Sequence, residues 1–212
     1  MRYKGIIFDL DGVICSTDKY HYQAWKKMAD NIGVYFDEKI NDRLRGVSRM
    51  ESLEIILEKS KRQYSAEEKE KLAAEKNGLY VELLDNMTPA DLSDEVRDTL
   101  DKLRKKGIKL AIGSSSKNTK KILQRIGLAA FFDAISDGTN ITRSKPDPEV
   151  FLKAADYLEF LPSECLVVED AAAGAEAASA GGFDCAGLGA AAVHEKITYS
   201  MDKFSDLLKI AD

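Results

Sequence analysis

Three short apolar runs, each halting at polar or acidic residues, set the strongest limit on how this chain can fold. Gly5-Ile6-Ile7-Phe8 leads into Asp9, Ile108-Lys109-Leu110-Ala111-Ile112 into Gly113 and three serines, and Leu166-Val167-Val168 into Glu169-Asp170. Runs this short and this continuously apolar suit strands buried on both faces of a parallel sheet. Helical stripes separate the later runs. Val96, Leu100 and Leu103 form one, closed by Gly107, and Ile122, Leu123 and Ile126 form another, closed by Gly127. A glycine just past such a stripe is a common helix stop. Alternating strands and helices give an α/β fold with a doubly wound, Rossmann-like parallel sheet. Ligands in such sheets gather beyond the carboxyl ends of the strands, where the acids and serines fall.

Residues 17–88 break that rhythm. The stretch holds no convincing strand, is dense in charge (Glu67-Glu68-Lys69-Glu70-Lys71), and carries a helical stripe of Ala24, Trp25, Met28 and Ile32 stopped by Gly33. It predicts an inserted α-helical domain over 17–88 and a core domain made of 1–16 and 89–212. Hinges fall near 12–17 and 86–93, and Pro89 suits the second because proline interrupts helix. The Ala/Gly-rich segment 171–192 reads as a tightly packed helix, a short strand and a loop. Little is legible beyond about residue 190.

Composition removes several classes of function. Hydrophobic residues make up 44% and charged residues 32% of the 212, a globular balance too apolar for disorder. The longest uncharged stretch is ten residues, Cys185 to His194, whereas a membrane-spanning helix needs about 20. The opening MRYKGIIFDL lacks a signal-peptide core and is interrupted by Asp9, so a cytoplasmic protein with no membrane partner is expected. Thirty-one basic against 36 acidic residues give a net charge of −5, which excludes a global basic field for nucleic acid and leaves room for a local anion site. Cys15, Cys165 and Cys185 are odd in number, with no C-x-x-C and no clustered histidines. They read as reduced thiols rather than a disulfide framework or a zinc site. His194 reads as a surface residue.

The chemistry starts at Asp9-Leu10-Asp11-Gly12, two carboxylates one residue apart at a strand end. Alone, that pattern is equally an acidic turn. Three other strand-end groups accompany it. Ser114 follows the second run at a predicted helix N-terminus, where backbone N–H groups and a hydroxyl bind phosphate. Lys145, in Ser144-Lys145-Pro146-Asp147-Pro148, supplies a point charge, and Pro148 suits the start of the next helix. Glu169 and Asp170 add the hard oxygen donors that Mg²⁺ prefers.

With these four motifs in this order, nearly the whole chain resembles the haloacid dehalogenase superfamily of phosphotransferases. Gly174 and Gly181 follow the last motif, and the insert matches the family's helical cap. Further pieces resemble the hexose-phosphate mutase branch: Tyr20-His21-Tyr22-Gln23-Ala24-Trp25 at the cap start, Arg45-Gly46-Val47-Ser48-Arg49 as a specificity loop, and Ser114-Ser115-Ser116-Lys117-Asn118 as a phosphate loop. Ala171 departs from the pattern, since close relatives often carry serine there, and a hydrogen bond behind the metal ligands is lost with it.

The resemblance implies that Asp9 is the nucleophile, forming an aspartyl-phosphate, and that Asp11 is the general acid/base. Mg²⁺ would bind Asp9, Glu169, Asp170 and the Asp11 backbone carbonyl. Ser114, Lys145 and the Ser115 N–H would hold the transferring phosphate. Arg49 would hold a second phosphate with Ser116, Lys117 and Asn118, because guanidinium matches phosphate bidentately. His21 would couple closure to the acid/base, Trp25, Gly46 and Val47 would lie on the substrate side, Lys76 would contact the closed site, and Thr17 would sit at the hinge. Plainer readings stand beside these. Arg49 suits a solvated face, His21 a packed partner of Trp25 one turn away, Lys117 and Asn118 a helix start, and Thr17 an N-cap. The implied reaction interconverts β-D-glucose 1-phosphate and D-glucose 6-phosphate through β-glucose 1,6-bisphosphate, carried out by a monomer. A sugar-phosphate phosphatase is the rival. A non-catalytic phosphate-binding protein is a further alternative, against which the intact pair Asp9 and Asp11 argues.

Overall fold

The computed structural model describes residues 2–44 and 48–211. The chain falls into two compact units, Met1–Ser16 with Met87–Asp212, and Thr17–Asn86. In chain order, strand β1 (Gly5–Phe8) precedes the second unit's helices α1 (Asp18–Asn31), α2 (Glu38–Asp42), α3 (Arg49–Leu57) and α4 (Ala66–Leu83). The first unit resumes with α5 (Asp94–Lys105), β2 (Lys109–Gly113), α6 (Thr119–Arg125), β3 (Ala134–Ser136), α7 (Glu149–Tyr157), β4 (Cys165–Glu169), α8 (Ala172–Ala180), β5 (Asp184–Gly187), β6 (Tyr199–Ser200) and α9 (Leu207–Ile210). The second boundary lies two residues before the sequence-based one. Met87 is fully buried, and its carbonyl accepts from Arg125 Nε at 3.0 Å within the first unit.

The six strands run parallel in the order β3-β2-β1-β4-β5-β6. The three apolar runs are thus the adjacent central strands. Ile7, Ala111 and Val167 share a core with Val150, Phe151 and Ala154 of α7 and Ala175, Ala177 and Ala178 of α8. Their neighbours Ile6, Phe8, Leu110, Ile112, Leu166 and Val168, which face the other way, are fully buried too. Burial on both faces explains why these runs lack polar alternation. Gly107 and Gly127 have φ of 81° and 78°, the left-handed geometry that ends α5 and α6. β3 and β6, with three and two residues, carry no pattern long enough to read.

The helical unit has its own core, in which Trp25, Met28 and Ala29 of α1 meet Leu53 and Ile56 of α3 and Leu72 and Ala73 of α4. Ser48 starts α3, its Oγ accepting from Glu51 N at 3.2 Å, and so sets Arg49 in the first helical position. Ser65 and Glu68 form a capping box for α4. Arg45, Gly46 and Val47, part of the stretch that resembles a specificity loop, lie outside the described residues. Among the described residues, no helix is long and apolar enough to cross a membrane.

Candidate active site

The site of the first unit assembles because β1, β2 and β4 end at one level. Phe8 lies opposite both Ile112 and Val168, so the residues that follow, Asp9, Gly113 and Glu169, emerge side by side. Asp9 N donates to Val168 O at 3.0 Å, holding the carboxylate at the strand end. Asp9, Glu169 and Asp170 each present an oxygen within 4.8 Å of the other two. Lys145 enters from the segment before α7, its Nζ donating to Asp9 Oδ1 at 2.6 Å and to Glu169 Oε1 at 2.5 Å. Glu169 is 1% exposed, and its Oε2 accepts from the N–H groups of Asp170 at 3.0 Å and Ala171 at 3.2 Å. With alanine at 171, the turn into α8 engages this carboxylate through its backbone alone.

The charges respond to this crowding. Burial pushes the Asp170 carboxyl up to about 7, and the Asp9, Glu169 and Asp11 carboxylates add to the rise. Burial likewise raises Glu169, with Lys145 opposing. Burial would depress Lys145, but Asp9 and Glu169 outweigh it and hold the ammonium above its ordinary range. Cys15 is raised by burial and by Asp11 and Asp9, while burial lifts Cys165 to about 11 and Cys185 to about 12. All three buried cysteines are free thiols without nucleophilic character at neutral pH. Three clustered carboxylates with no nitrogen or sulfur donor make a site chemically suited to a hard divalent cation.

Asp11 stands in the turn beyond Asp9, bridged to Cys15, with Gly12 N donating to Cys15 O at 2.8 Å. Gly12 has φ of 85°, and a Cβ there would stand 2.0 Å from Asp170 Oδ2. The acidic-turn reading and the catalytic one therefore describe the same residues.

Ser114 is buried, its N–H donating to Ser136 O at 3.1 Å and its Oγ accepting from Ser116 N at 3.2 Å. Ser116 Oγ accepts from Asn118 N at 3.1 Å, and Ser115 Oγ from Lys145 N at 3.5 Å. One expectation is corrected here: Ser114 is not at a helix N-terminus, because α6 begins only at Thr119. Serine hydroxyls capture the N–H groups two residues on and hold a loop between strand and helix. Lys117 is exposed, and Asn118 occupies the N-cap position of α6 without a side-chain cap bond.

In the helical unit, His21, Trp25, Lys76 and Tyr80 form one cluster. His21 stacks on Tyr80 with ring centroids 4.0 Å apart, and its Nδ1 lies 2.7 Å from Lys76 Nζ. The same ammonium, 3% exposed as a residue, sits 4.7 Å from the Trp25 ring centroid and 4.9 Å from that of Tyr80. Burial, then Lys76 and Arg49, push His21 down to about 3. Thr17 stands at the N-cap of α1 but makes no side-chain cap bond; its Oγ1 accepts from Tyr80 Oη at 3.1 Å. Arg49 is exposed and donates to Asn77 Oδ1 at 2.8 Å. Tyr80 and Asn77 were not singled out from sequence. Tyr80 lies four residues after Lys76 on α4, a spacing that was available as a signal.

Lys145 is not at a strand end as the sequence suggests, since it lies between β3 and α7. A parallel sheet with paired acids, a serine and two further acids at neighbouring strand ends, and a lysine reaching in from a loop, defines a class of phosphoryl-transfer enzymes. The family model for haloacid dehalogenase-like hydrolases matches residues 3–182, and the chain belongs to that family. It is 43% identical over 188 residues to the β-phosphoglucomutase of Bacillus subtilis, covering 88% of this chain and 83% of that protein. It is 31% identical to a phosphorylated carbohydrates phosphatase of Thermotoga maritima, covering 85% and 82% respectively. The crystal structure of a β-phosphoglucomutase from Clostridium difficile superimposes with a TM-score of 0.84 at 39% identity, over 97% of this chain and 93% of that one.

Proposed function

We propose that the chain catalyses the β-phosphoglucomutase reaction, interconverting β-D-glucose 1-phosphate and D-glucose 6-phosphate through bound β-glucose 1,6-bisphosphate. The observation that carries this reading is the 43% identity to the Bacillus subtilis mutase over 88% of the chain. In the proposed cycle Asp9 alternates between free carboxylate and aspartyl-phosphate. Phosphorylated Asp9 gives its phosphoryl group to the C6 hydroxyl of glucose 1-phosphate, while Asp11 takes the hydroxyl proton. The bisphosphate then presents its other end. Asp9 attacks that phosphorus, the bond to the C1 oxygen breaks, and Asp11 returns the proton to that oxygen.

Ser114, Ser115 and Lys145 hold the transferring phosphate. Arg49, Ser116, Lys117 and Asn118 hold the other. His21, Trp25, Gly46, Val47 and Lys76 serve the substrate side, and Thr17 the hinge. Asp9, Glu169, Asp170 and the Asp11 carbonyl would hold Mg²⁺, which supplies charge stabilisation at the transferring phosphoryl group. The 31% identity to a carbohydrate phosphatase favours the second reading, in which water takes the phosphoryl group from Asp9. Phosphorus NMR of the protein with β-glucose 1-phosphate, Mg²⁺ and a trace of bisphosphate separates the two. Glucose 6-phosphate is the expected product, and inorganic phosphate alone would replace the mutase reading with the phosphatase one.

A further inference from the structure

Helix α8 opens on an alanine run broken once, at Gly174 in Ala171-Ala172-Ala173-Gly174-Ala175. Gly174 is the third residue of the helix and has no positive φ. Its backbone conformation therefore does not call for glycine, and alanine is the better helix former. The reason lies in space. A Cβ on Gly174 would stand 1.9 Å from Glu169 Cδ, 2.0 Å from Oε1 and 2.4 Å from Oε2. The Glu169 carboxylate occupies the volume of the missing side chain.

That carboxylate has no spare room elsewhere. It is 1% exposed, tied to Lys145 through Oε1 and to two backbone N–H groups through Oε2. The carboxylate is the far end of a flexible side chain, so a Cβ at 174 leaves the helix intact and displaces the carboxylate from these partners. We infer that Gly174 is a positioning residue for the cation site: its missing side chain is the cradle that sets Glu169 beside Asp9 and Asp170. This rests on the proposed reading of those three acids as metal ligands.

The test uses the full-length protein and Mn²⁺ as a paramagnetic substitute for Mg²⁺, with free Mn²⁺ read by electron paramagnetic resonance so that no turnover is needed. Gly174→Ala should weaken Mn²⁺ binding about tenfold or more, the usual loss when a ligand's support is disturbed. Its metal-free far-UV circular dichroism should match that of the wild type, showing that α8 and the fold persist while the binding is lost. Gly174→Ala combined with Glu169→Asp should bind more tightly than Gly174→Ala alone, because the carboxylate one methylene shorter clears the new methyl group. Gly174→Ala binding within about twofold of wild type, while Glu169→Ala loses binding, would overturn the cradle and leave the cation site standing. Wild-type binding by Glu169→Ala would remove the cation site itself. Should Gly174→Ala fail to fold, a folded double variant that binds Mn²⁺ supports the cradle. A double variant that also fails to fold, or that recovers nothing, shows that position 174 serves helix packing and ends the proposal.

Discussion

Lys145 Nζ lies 2.6 Å from Asp9 Oδ1 and 2.5 Å from Glu169 Oε1, one buried ammonium shared by two carboxylates that stand within 4.8 Å of a third, Asp170. Lys145→Ala leaves three acids together with no cation. Removing one partner of a buried pair costs about 3–5 kcal/mol, and the metal-free variant should lose stability of that order at pH 8. Lys145 opposes the raised values of Glu169 and Asp170, so without the ammonium those two carboxyls sit further above their unfolded values. The fold then keeps protons that the unfolded chain releases, so stability survives at low pH and is lost as pH rises. Urea unfolding at pH 5.5 and pH 8 should show the larger deficit at pH 8. An equal deficit at both would mean that Lys145 stabilises by packing on the Phe151 ring, 4.6 Å away.

Asp170 makes a second prediction about the metal-free protein. Its carboxyl is pushed to about 7 by burial and then by its acidic neighbours, against about 3.9 in an unfolded chain. The raised value gives a stability contribution that is full below about pH 4 and lost as pH rises through 7. A cation ligand must be deprotonated, so Mg²⁺ binding at pH 6 should release close to one proton, and affinity should climb up to about pH 7 before levelling. Titration calorimetry at pH 6 in buffers of different ionisation heat reads that proton directly. Binding without proton release would show that Asp170 is already ionised beside Asp9.

The parts of the fold that were readable from sequence are those where one physical cause acts alone. β1, β2 and β4 are buried on both faces, and their apolar runs show it. The acids at their ends stand out because charged residues halt otherwise continuous apolar runs, and the register of the strands brings Asp9, Glu169 and Asp170 together. Ser114 was misplaced because hydroxyl-to-backbone bonds at Ser114 and Ser116 sustain a loop where the pattern suggests an immediate helix. Met87 fell on the wrong side of the boundary because burial inside the first unit leaves no local mark. Gly174 looks like a lapse in an alanine helix until Glu169, five residues earlier, is seen filling its space.

His21 should stay neutral across the physiological range. Burial is the main cause, with the Lys76 ammonium at Nδ1 and Arg49 adding to it, and together they push the ring down to about 3. The folded value lies below the unfolded one of about 6.5, so this contribution to stability is complete above pH 6.5 and is lost as pH falls toward 3. Lys76 can only donate, which places the imidazole proton on Nε2. The His21 carbon and nitrogen resonances should not move between pH 5 and 8 and should carry the Nε2–H signature. Lys76→Gln should raise the ring's value only in part, because burial remains. Titration of His21 near pH 6.5 in the wild-type protein would refute this assignment.

Arg49 separates the mutase from the phosphatase. Ser48 caps α3 and so holds Arg49 at the helix start, with Asn77 Oδ1 accepting from its guanidinium at 2.8 Å. In the proposed cycle each phosphate of the bisphosphate must at some point be the one that is not transferred, and Arg49 grips it. Hydrogen bonds to charged groups contribute about 1.5–3 kcal/mol each, and 1.36 kcal/mol is about tenfold in rate. Losing a bidentate grip should therefore lower kcat/KM for β-glucose 1-phosphate by about a hundredfold or more in Arg49→Ala. Arg49→Lys should recover part of it, since charge returns without the planar fork. Acetyl phosphate, which has no second phosphate, should be hydrolysed by Arg49→Ala at nearly the wild-type rate. Steady-state kinetics on both substrates decide the matter. Equal losses on the two would show that Arg49 supports α3 and α4 through Asn77 rather than a distal phosphate, and the phosphatase reading would then take precedence.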